Sequence, residues 1–213
     1  MKGFATAIKH SCVTLALMLL CIGQVNASWQ EASAVVDDKS SQMIELLNDE
    51  SLKAPEREPD LIAAIDSVLA PVVDFDYISR VVMGKYFRRA TPEQHKHFSG
   101  VFKTTLLKTY ARAMVGFSIT GYEIQQPRVD SPEPGKQVVT VDIIGDTGTR
   151  YGVVYYMVKE ETSWRLVNVL VDGVNLRLTF KNQFADIIQR SNGDVGQAIT
   201  NWENMVDPGK GGA

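Results

Sequence analysis

Residues 137–171 read QVVTVDIIGDTGTRYGVVYYMVKEETSWRLVNVLV and contain three apolar runs of strand length. Only short turns separate neighbouring runs, Gly145–Gly148 in one case and Glu160–Ser163 in the other. Connections this short join antiparallel neighbours, so the three runs predict a meander. A further run, Phe117–Pro127, comes before the proline-rich turn that leads into residue 137. We therefore predict a sheet of four antiparallel strands.

Helical periodicity flanks the predicted sheet on both sides. The tetrapeptide Thr91-Pro-Glu-Gln94 has the spacing of a capping box with proline at the first helical position, so it predicts a helix start. Apolar residues then recur every fourth position to about Val115. After the sheet, residues 176–188 and 195–206 return to this helical period. The order indicates an α+β fold, with helices covering one face of a curved sheet and either a core or a cavity between them.

The remaining segments complete the predicted domain, which extends over residues 28–207. Ser28–Ala34 is expected to be a loose leader, and the glycine-rich residues 208–213 are expected to be a disordered tail. Three shorter helices are predicted before the capping box, at Val36–Leu47, Pro59–Leu69 and Tyr77–Met83.

Residues 1–27 predict a cleavable signal peptide. Lys2 and Lys9 form a basic start, Val13–Ile22 is apolar, and Val25-Asn-Ala27 fits a cleavage site. The alternative is a membrane anchor. The apolar run has about 10 residues, whereas a spanning helix needs roughly 20, so the signal peptide is favoured.

Charge and cysteine content change when the predicted signal peptide is removed. The chain has 213 residues, 22 basic and 25 acidic side chains, and two cysteines. Residues 1–27 hold both cysteines and two lysines, which leaves 20 basic side chains, a net charge of −5 and no thiol. This balance argues against a nucleic-acid-binding protein. Without disulfides, an exported domain depends on its apolar core for stability.

Few residues have the spacing of a catalytic or metal site. His95 and His97 lie two positions apart on a predicted helix, so they point in different directions and cannot hold one metal ion. No thiol nucleophile and no Gly-x-Ser-x-Gly elbow is present after residue 27. Asp74 and Asp76 flank a helix start, where capping explains them. We predict no metal, no cofactor and no catalytic residue.

Two features admit both a structural and a functional interpretation. In Tyr151–Val158 neither alternate set of side chains is polar, which fits an ordinary packed core or a strand beside a ligand. A basic cluster stands out in the acidic chain, and it fits a solvated helix end or a contact with phosphate or an acidic partner. The basic cluster comprises Arg80, Lys85, Arg88 and Arg89.

Two long motifs resemble one known family. The segment Asp74–Gln94 reads DFDYISRVVMGKYFRRATPEQ, and Trp164–Phe184 reads WRLVNVLVDGVNLRLTFKNQF. Both resemble the Mla-type periplasmic phospholipid carriers, the MlaC or toluene-tolerance family. Their order and spacing agree over about residues 55–200. One departure is Phe87, where the family often has a tryptophan.

The resemblance implies a monomeric, non-enzymatic carrier in the periplasm. It would shuttle phospholipid between the outer and inner membranes and maintain outer-membrane lipid asymmetry. The acyl chains would lie in a cavity between sheet and helices, with the headgroup facing solvent. Implied partners are an inner-membrane ABC transporter with its lipid-binding ring subunit and an outer-membrane lipoprotein–porin complex. Phospholipid would be cargo, and no cofactor is implied.

The resemblance and the periodicities together select the residues expected to contact acyl chains. The long helix supplies every fourth residue and the sheet supplies one face, although a register error of one residue would invert that choice. The basic cluster is expected to contact a headgroup or a partner. The expected lining is Phe102, Leu106, Tyr110, Met114, Val139, Val141, Tyr155, Met157, Val169 and Val171, with Val82, Met83, Phe180 and Phe184 at the ends.

Two other functions fit the same sequence. One is an enzyme or binding protein that uses the cavity for another hydrophobic small molecule. An ionisable group with a perturbed pKa inside the cavity would favour the enzyme. The other is an interaction module whose core is filled by its own side chains.

Overall fold

The computed structural model describes residues 28–116 and 118–206. Within this part of the chain, helices pack on one curved antiparallel sheet, so the α+β prediction is confirmed. The strands follow one another in sequence order across the sheet. They are β1 Ile119–Gln125, β2 Lys136–Gly145, β3 Arg150–Glu160, β4 Ser163–Val171 and β5 Val174–Asn175.

The helices start where local sequence signals place them. Thr91 Oγ1 accepts from the Gln94 N–H at 3.2 Å, and Gln94 Oε1 accepts from the Thr91 N–H at 3.0 Å, which is the predicted capping box. Short 3-10 helices occupy Glu50–Leu52, Pro55–Arg57 and Gly84–Arg89. The α-helices are α1 at residues 28–47, α2 Glu58–Leu69, α3 Phe75–Met83, α4 Pro92–Val115, α5 Leu176–Arg190 and α6 Val195–Val206.

The prediction of four strands is wrong, because the described sheet has a fifth strand, β5. Asp172 and Gly173 both have positive φ, 46° and 80°, and turn the chain back tightly after β4. Val174 and Asn175 then pair with the end of β4. Two residues are too short a run to show strand periodicity, which is why the sequence pattern missed them.

The expected loose leader, Ser28–Ala34, is helical and belongs to α1. Trp29, Ala32 and Val36 are buried, and their spacing of three and four residues places them on one helix face. The Trp29 indole Nε1 donates to the Val138 carbonyl oxygen at 3.1 Å. This segment therefore covers the sheet instead of extending into solvent.

Some predictions fall outside the described residues. The signal peptide, residues 1–27, and the disordered tail, residues 208–213, both lie there. These two stay predictions, as does the single domain over residues 28–207. Among the described residues, no helix combines the length and apolarity needed to cross a membrane.

One main core lies between the sheet and the helices. It joins Val139 and Met157 of the sheet to Phe98 and Phe102 of α4 and Phe184 of α5. A smaller cluster lies where α2 packs on the second half of α4. The functional question is whether the whole layer between sheet and helices is core.

Candidate functional site

The sheet residues predicted to line a cavity all lie on one face, which we call the inner face. Val139 lies opposite Tyr155, and Tyr155 lies opposite Val169. Directly opposed residues of antiparallel strands point to the same side of a sheet. The same register places the other predicted sheet residues, Val141, Met157 and Val171, on the inner face.

Burial falls along the inner face from one end of the strands to the other. Met157 opposes Leu166, and these side chains are 1% and 8% exposed. At the other end Tyr122 opposes Ile143, both only half-buried, and Val171 is 36% exposed. We call the Met157 side the closed end and the Tyr122 side the open end. The inner face is therefore sealed by protein at the closed end only.

The helices show the same change in burial. On α4, Phe98 and Phe102 are fully buried, whereas Leu106 and Tyr110, one and two turns later, are half-buried. On α5, Phe184 is fully buried but Phe180, one turn earlier, is half-buried. The exposed apolar surface thus lies at the second half of α4 and the first half of α5.

Helix α1 connects this part of α4 with the open end of the sheet. Asn48, just after α1, donates from Nδ2 to the Ile119 carbonyl oxygen at 3.4 Å, at the start of β1. Leu46 of α1 packs against the cluster that contains Leu107 and Ala111 of α4. The second half of α4 and the open end of the sheet therefore share one side of the molecule.

Aromatic side chains fill the closed end. The Phe98 ring lies 4.8 Å from Phe184 and 5.5 Å from Trp202, measured between ring centroids. Rings at these separations attract each other edge to face and also bury a large apolar area. Half of the predicted lining residues are fully buried in this core: Val82, Met83, Phe102, Val139, Val141, Met157 and Phe184.

A cleft of about 380 Å³ lies between α4, α5 and α6. Its volume falls within the range of roughly 300–1,000 Å³ that is typical of ligand pockets. Three predicted residues, Leu106, Tyr110 and Phe180, line it, while the side chain of Met114 is outside the described part of the structure. The other lining residues are Thr105, Thr109, Arg112, Gln183, Trp202 and Met205.

Aromatic rings connect the cleft to the core. The Phe180 ring lies 5.5 Å from Phe102 and 6.4 Å from Trp202. The Trp202 indole N–H is buried and has no hydrogen-bond acceptor among the described residues.

Helix α1 contacts two tyrosines of the inner face. Burial raises the pKa of Tyr155 to about 12, and a hydrogen bond with Ser40 of α1 opposes that shift. The Tyr122 hydroxyl donates to Asp37 Oδ1 at 2.6 Å, and burial together with this carboxylate raises the Tyr122 pKa to about 12. Burial also raises the pKa of Tyr110 in the cleft. All three phenols are therefore neutral near pH 7.

The rim of the cleft carries one cation and several neutral polar groups. Arg112 Nε and one terminal nitrogen both donate to Glu58 Oε1, at 2.9 and 2.8 Å. The side chains of Arg112 and Glu58 are 56% and 34% exposed, so the pair is accessible to solvent. Thr109 and Gln183 add neutral hydrogen-bonding groups, and no carboxylate is among the described residues that line the cleft.

The basic cluster lies elsewhere on the surface. Arg80, Lys85, Arg88 and Arg89 are all exposed, and none of them is among the residues that line the cleft. The Lys85 Nζ lies 5.1 Å from the centroid of the Tyr86 ring, a cation–π contact. Arg89 donates to the Gly193 carbonyl oxygen at 2.9 Å, beside the start of α6.

Two cations of α5 adjoin the basic cluster. The guanidinium groups of Arg80 and Arg177 lie 5.5 and 6.0 Å from the centroid of the same ring, Tyr77. Lys181 lies against Gly84, because its Cε is 3.1 Å from the position of an added Cβ there. The cationic surface is thus broader than the sequence cluster, extending from α3 to α5.

Of the two histidines on α4, His95 packs against an aromatic ring. His95 stacks edge to face on Phe87, with 4.7 Å between ring centroids, and His97 is exposed. Within residues 28–116 and 118–206, no group of three or more His, Cys, Asp or Glu side chains is arranged to hold a metal ion.

Comparison with known proteins identifies the family. The family model for the MlaC protein matches residues 37–204, which is most of the chain. The chain belongs to the MlaC family. A similar relative is the toluene tolerance protein ttg2D of Pseudomonas putida, which is 35% identical over 149 residues, 69% of this chain and 68% of that protein. The resemblance of the two sequence motifs is therefore confirmed.

This MlaC-family chain also shares its fold with a solved structure. The phospholipid-binding protein from Ralstonia solanacearum, solved in complex with a phospholipid, superposes with a TM-score of 0.74 at 24% identity. The match covers 82% of this chain and 96% of that one. At this identity the similarity establishes the common fold.

Sequence reasoning missed the polar side of the cleft in this MlaC-family chain. Thr105, Thr109 and Arg112 follow one another at intervals of four and three residues, so they lie on one face of α4. That polar stripe runs beside the apolar stripe and is visible in the sequence. Trp202 and Met205 were missed because α6 was not assigned to the lining. The helical spacing of the apolar residues in α6 was the signal that could have identified them.

Proposed function

We propose that this protein is a carrier that holds phospholipid acyl chains between the inner face of the sheet and helices α4, α5 and α6. The observation that supports the proposal is the cleft between α4, α5 and α6. Leu106 and Phe180 give it apolar walls, and Met205, 52% exposed, lies at its edge. The Ralstonia protein of similar fold binds a phospholipid, which supports this class of ligand.

The free energy of acyl chains in water explains the need for a carrier. Burying one methylene is favourable by about 0.8 kcal/mol. Transfer of a diacyl lipid with about 30 methylenes from an apolar environment into water therefore costs on the order of 20 kcal/mol. Unassisted release into an aqueous compartment is too slow for transport. A protein with an apolar site removes this barrier. Because chains offer no hydrogen bonds, the apolar site selects lipids by chain volume.

We place the carrier in the periplasm, exported by the signal peptide predicted at residues 1–27. There it would move phospholipid between the outer and inner membranes and maintain outer-membrane lipid asymmetry. Its proposed partners are an inner-membrane ABC transporter with its lipid-binding ring subunit and an outer-membrane lipoprotein–porin complex. A net charge of −5 without residues 1–27 disfavours adsorption to anionic membranes, which leaves docking to specific proteins.

The basic cluster is proposed as a docking surface. Because Arg80, Lys85, Arg88 and Arg89 lie outside the cleft, an acidic partner surface suits them better than the headgroup of held lipid. Arg177 and Lys181 would extend the same surface.

We propose no catalytic role, with phospholipid as cargo and no cofactor. Membership in the MlaC family supports this. The pKa shifts support it as well, because burial moves the pKa of Tyr110 and Tyr155 further from neutrality. A general acid or base that operates near pH 7 needs a pKa closer to that value.

Native mass spectrometry of protein purified from the periplasm tests the carrier function. Wild-type protein should carry phospholipid. Phe180→Glu should lose it, because a carboxylate beside the acyl chains is costly to desolvate. Met205→Glu should reduce the lipid-bound fraction too. Since Met205 is 52% exposed, that variant is expected to fold normally.

Leu178→Glu is the matched control, because Leu178 lies on the same helix two residues from Phe180 and is 53% exposed. It should retain wild-type lipid occupancy. Wild-type protein that carries no lipid, and that takes up none from vesicles after purification, would contradict the carrier function. Equal lipid loss in Leu178→Glu and Phe180→Glu would contradict the placement of the chains.

A further inference from the structure

The cleft has the chemistry of an amphiphile site with an anionic head. Its walls include Leu106, Phe180 and Trp202, while Thr109 and Arg112 bring a hydroxyl and a guanidinium to the same space. Among the part of the chain that the structure describes, no carboxylate lines the cleft. A site with apolar walls, neutral donors and one cation complements a ligand that has apolar chains and a negatively charged head.

We propose that Arg112 binds the phosphate of the held lipid and that the Glu58 carboxylate competes with this phosphate for Arg112. This inference rests on the proposed function, because the lipid must already have its chains in the cleft. The ligand class is an acyl-chain amphiphile that carries a phosphate ester. Arg112 would give a preference for phosphate-bearing lipids over neutral lipids with the same chains.

The geometry of the ion pair allows this exchange. Arg112 uses two of its nitrogens on the single oxygen Glu58 Oε1, at 2.9 and 2.8 Å. A guanidinium presents its donors in a planar fork that fits a phosphate with two parallel hydrogen bonds, and phosphate can accept both on separate oxygens. Solvent-accessible ion pairs are weak, so a phosphate can compete with Glu58 for Arg112.

Neutral donors near Arg112 fit the same head. Thr109 lies three residues before Arg112 on the same face of α4, and its hydroxyl can donate to a phosphate oxygen. Gln183 of α5 lines the same cleft and offers an amide N–H. These groups stabilise an anion without adding a negative charge that would repel it.

The test measures binding to delipidated full-length protein by titration with two lipids of identical chains. One is phosphatidylglycerol and the other is diacylglycerol. Arg112→Gln should lower the preference for the phospholipid about tenfold, and Arg112→Lys should restore part of it. Glu58→Gln should raise the preference, because the competing carboxylate is gone. A third arm titrates inorganic phosphate alone.

Arg150 and Glu123 provide a matched control pair. They form an exposed ion pair on the sheet at 2.6 Å, with side chains 49% and 51% exposed. Arg150→Gln and Glu123→Gln should leave the preference at its wild-type value. If they change it as much as the Arg112 and Glu58 variants do, general surface charge is responsible and the inference is wrong.

Three other outcomes would overturn the inference. If Arg112→Gln weakens the binding of both lipids equally, the role of Arg112 is structural. If the preference for the phospholipid is unchanged in this variant, Arg112 has no role in it. Saturable binding of inorganic phosphate at the affinity of the phospholipid would assign the site to a free anion. Wild-type protein that binds neither lipid would instead contradict the proposed function, so the two failures are distinguishable.

Discussion

The closed end and the open end of the layer between sheet and helices use similar residues but differ in burial. At the closed end, Phe98 and Phe184 are fully surrounded by protein. At the open end, Phe180 and Tyr110 are half-buried and border a cleft. A fully surrounded side chain contributes its whole transfer free energy to folding, whereas a half-buried one keeps apolar surface for a ligand. In the proposed carrier, one apolar layer would thus serve both stability and binding.

Helix α4 shows the division most clearly because it crosses both ends. Phe98, Phe102, Leu106 and Tyr110 repeat every fourth residue and form one stripe. The first two are buried in the aromatic cluster, and the last two line the cleft. Position along the helix, and not the choice of face, separates the buried part of the stripe from the part that lines the cleft.

The largest expected effect compares two phenylalanines one turn apart on α5. Phe184→Ala should lower the free energy of unfolding by about 3–5 kcal/mol, because it leaves a cavity in a closed core. Phe180→Ala should cost less than half of that, because water or neighbouring side chains can enter. Urea denaturation of delipidated protein measures both.

For lipid retention, the two variants should rank in the opposite order. Phe180→Ala should release more phospholipid than Phe184→Ala when both are compared well below their unfolding midpoints. Equal stability losses, or greater lipid loss in Phe184→Ala, would remove the distinction between the two ends.

The next effect concerns how folding stability depends on pH at Tyr155, in the middle of the inner face. The pKa of Tyr155 is about 12 in the folded protein and about 10 when unfolded, so the folded state holds the proton more tightly. The stability from this group is fully present below pH 10 and is lost as pH rises through 12. Between about pH 10 and 12, the free energy of unfolding of the wild-type protein should therefore fall more steeply than that of Tyr155→Phe. The difference between the two slopes should reach about 1.4 kcal/mol for each pH unit.

Tyr156→Phe is the control for that series, because Tyr156 lies on the other face of the sheet and is 38% exposed. It should keep the wild-type dependence on pH between 10 and 12. A Tyr155→Phe variant with the wild-type slope would show that Tyr155 is more accessible to solvent than the inner face implies.

A smaller effect distinguishes the binding of lipid in the cleft from docking through the basic cluster. Reversing Arg80 and Arg88 to glutamate should slow lipid transfer to partner-containing vesicles about tenfold, because opposite charges accelerate docking. The lipid that co-purifies should not change, since neither residue lines the cleft. Salt should narrow the difference between variant and wild type.

Reversal of Arg128 and Lys136 is the matched control, because both are exposed basic residues outside the basic cluster. This control should transfer lipid at the wild-type rate. If both double variants are equally slow, net charge alone is responsible. A cluster variant that transfers lipid normally would exclude the docking role.

The smallest effect compares the two attachments of α1. Trp29→Phe removes the hydrogen bond to the Val138 carbonyl at the buried start of α1 and should cost about 1 kcal/mol. Tyr122→Phe removes the exposed bond to Asp37 at the open end and should cost less than half as much. Chemical denaturation of the two variants measures the difference, and a larger cost at Tyr122 would contradict this ranking.

Much of the fold could be predicted from local sequence. The predicted strand at residues 137–144 corresponds to β2 Lys136–Gly145, and the capping box at Thr91 marks the start of α4. Period-two and period-four patterns are strong over elements of this length. The two-residue β5 has no periodicity to detect, and the helix over Ser28–Ala34 was masked by its polar residues even though Trp29 and Ala32 share a face.

The site was less predictable than the fold. The alternation of side chains along the strands correctly grouped Val139, Tyr155 and Val169 on one face of the sheet. The pairing register follows from this alternation and from the lengths of the turns. Periodicity reports which way a side chain points but not how closely other elements approach it. Val139 and Tyr155 are directly opposed, yet only Val139 is fully buried.

Photo-crosslinking with a phospholipid that carries a diazirine in its acyl chain tests the central claim most directly. The labelled lipid is loaded into the protein, activated, and its adducts are mapped by mass spectrometry. The cleft should carry the adducts, at Leu106, Phe180 and Met205. Adducts confined to Val138 and Tyr156 on the opposite face of the sheet, or their absence from the cleft in lipid-loaded protein, would contradict the account.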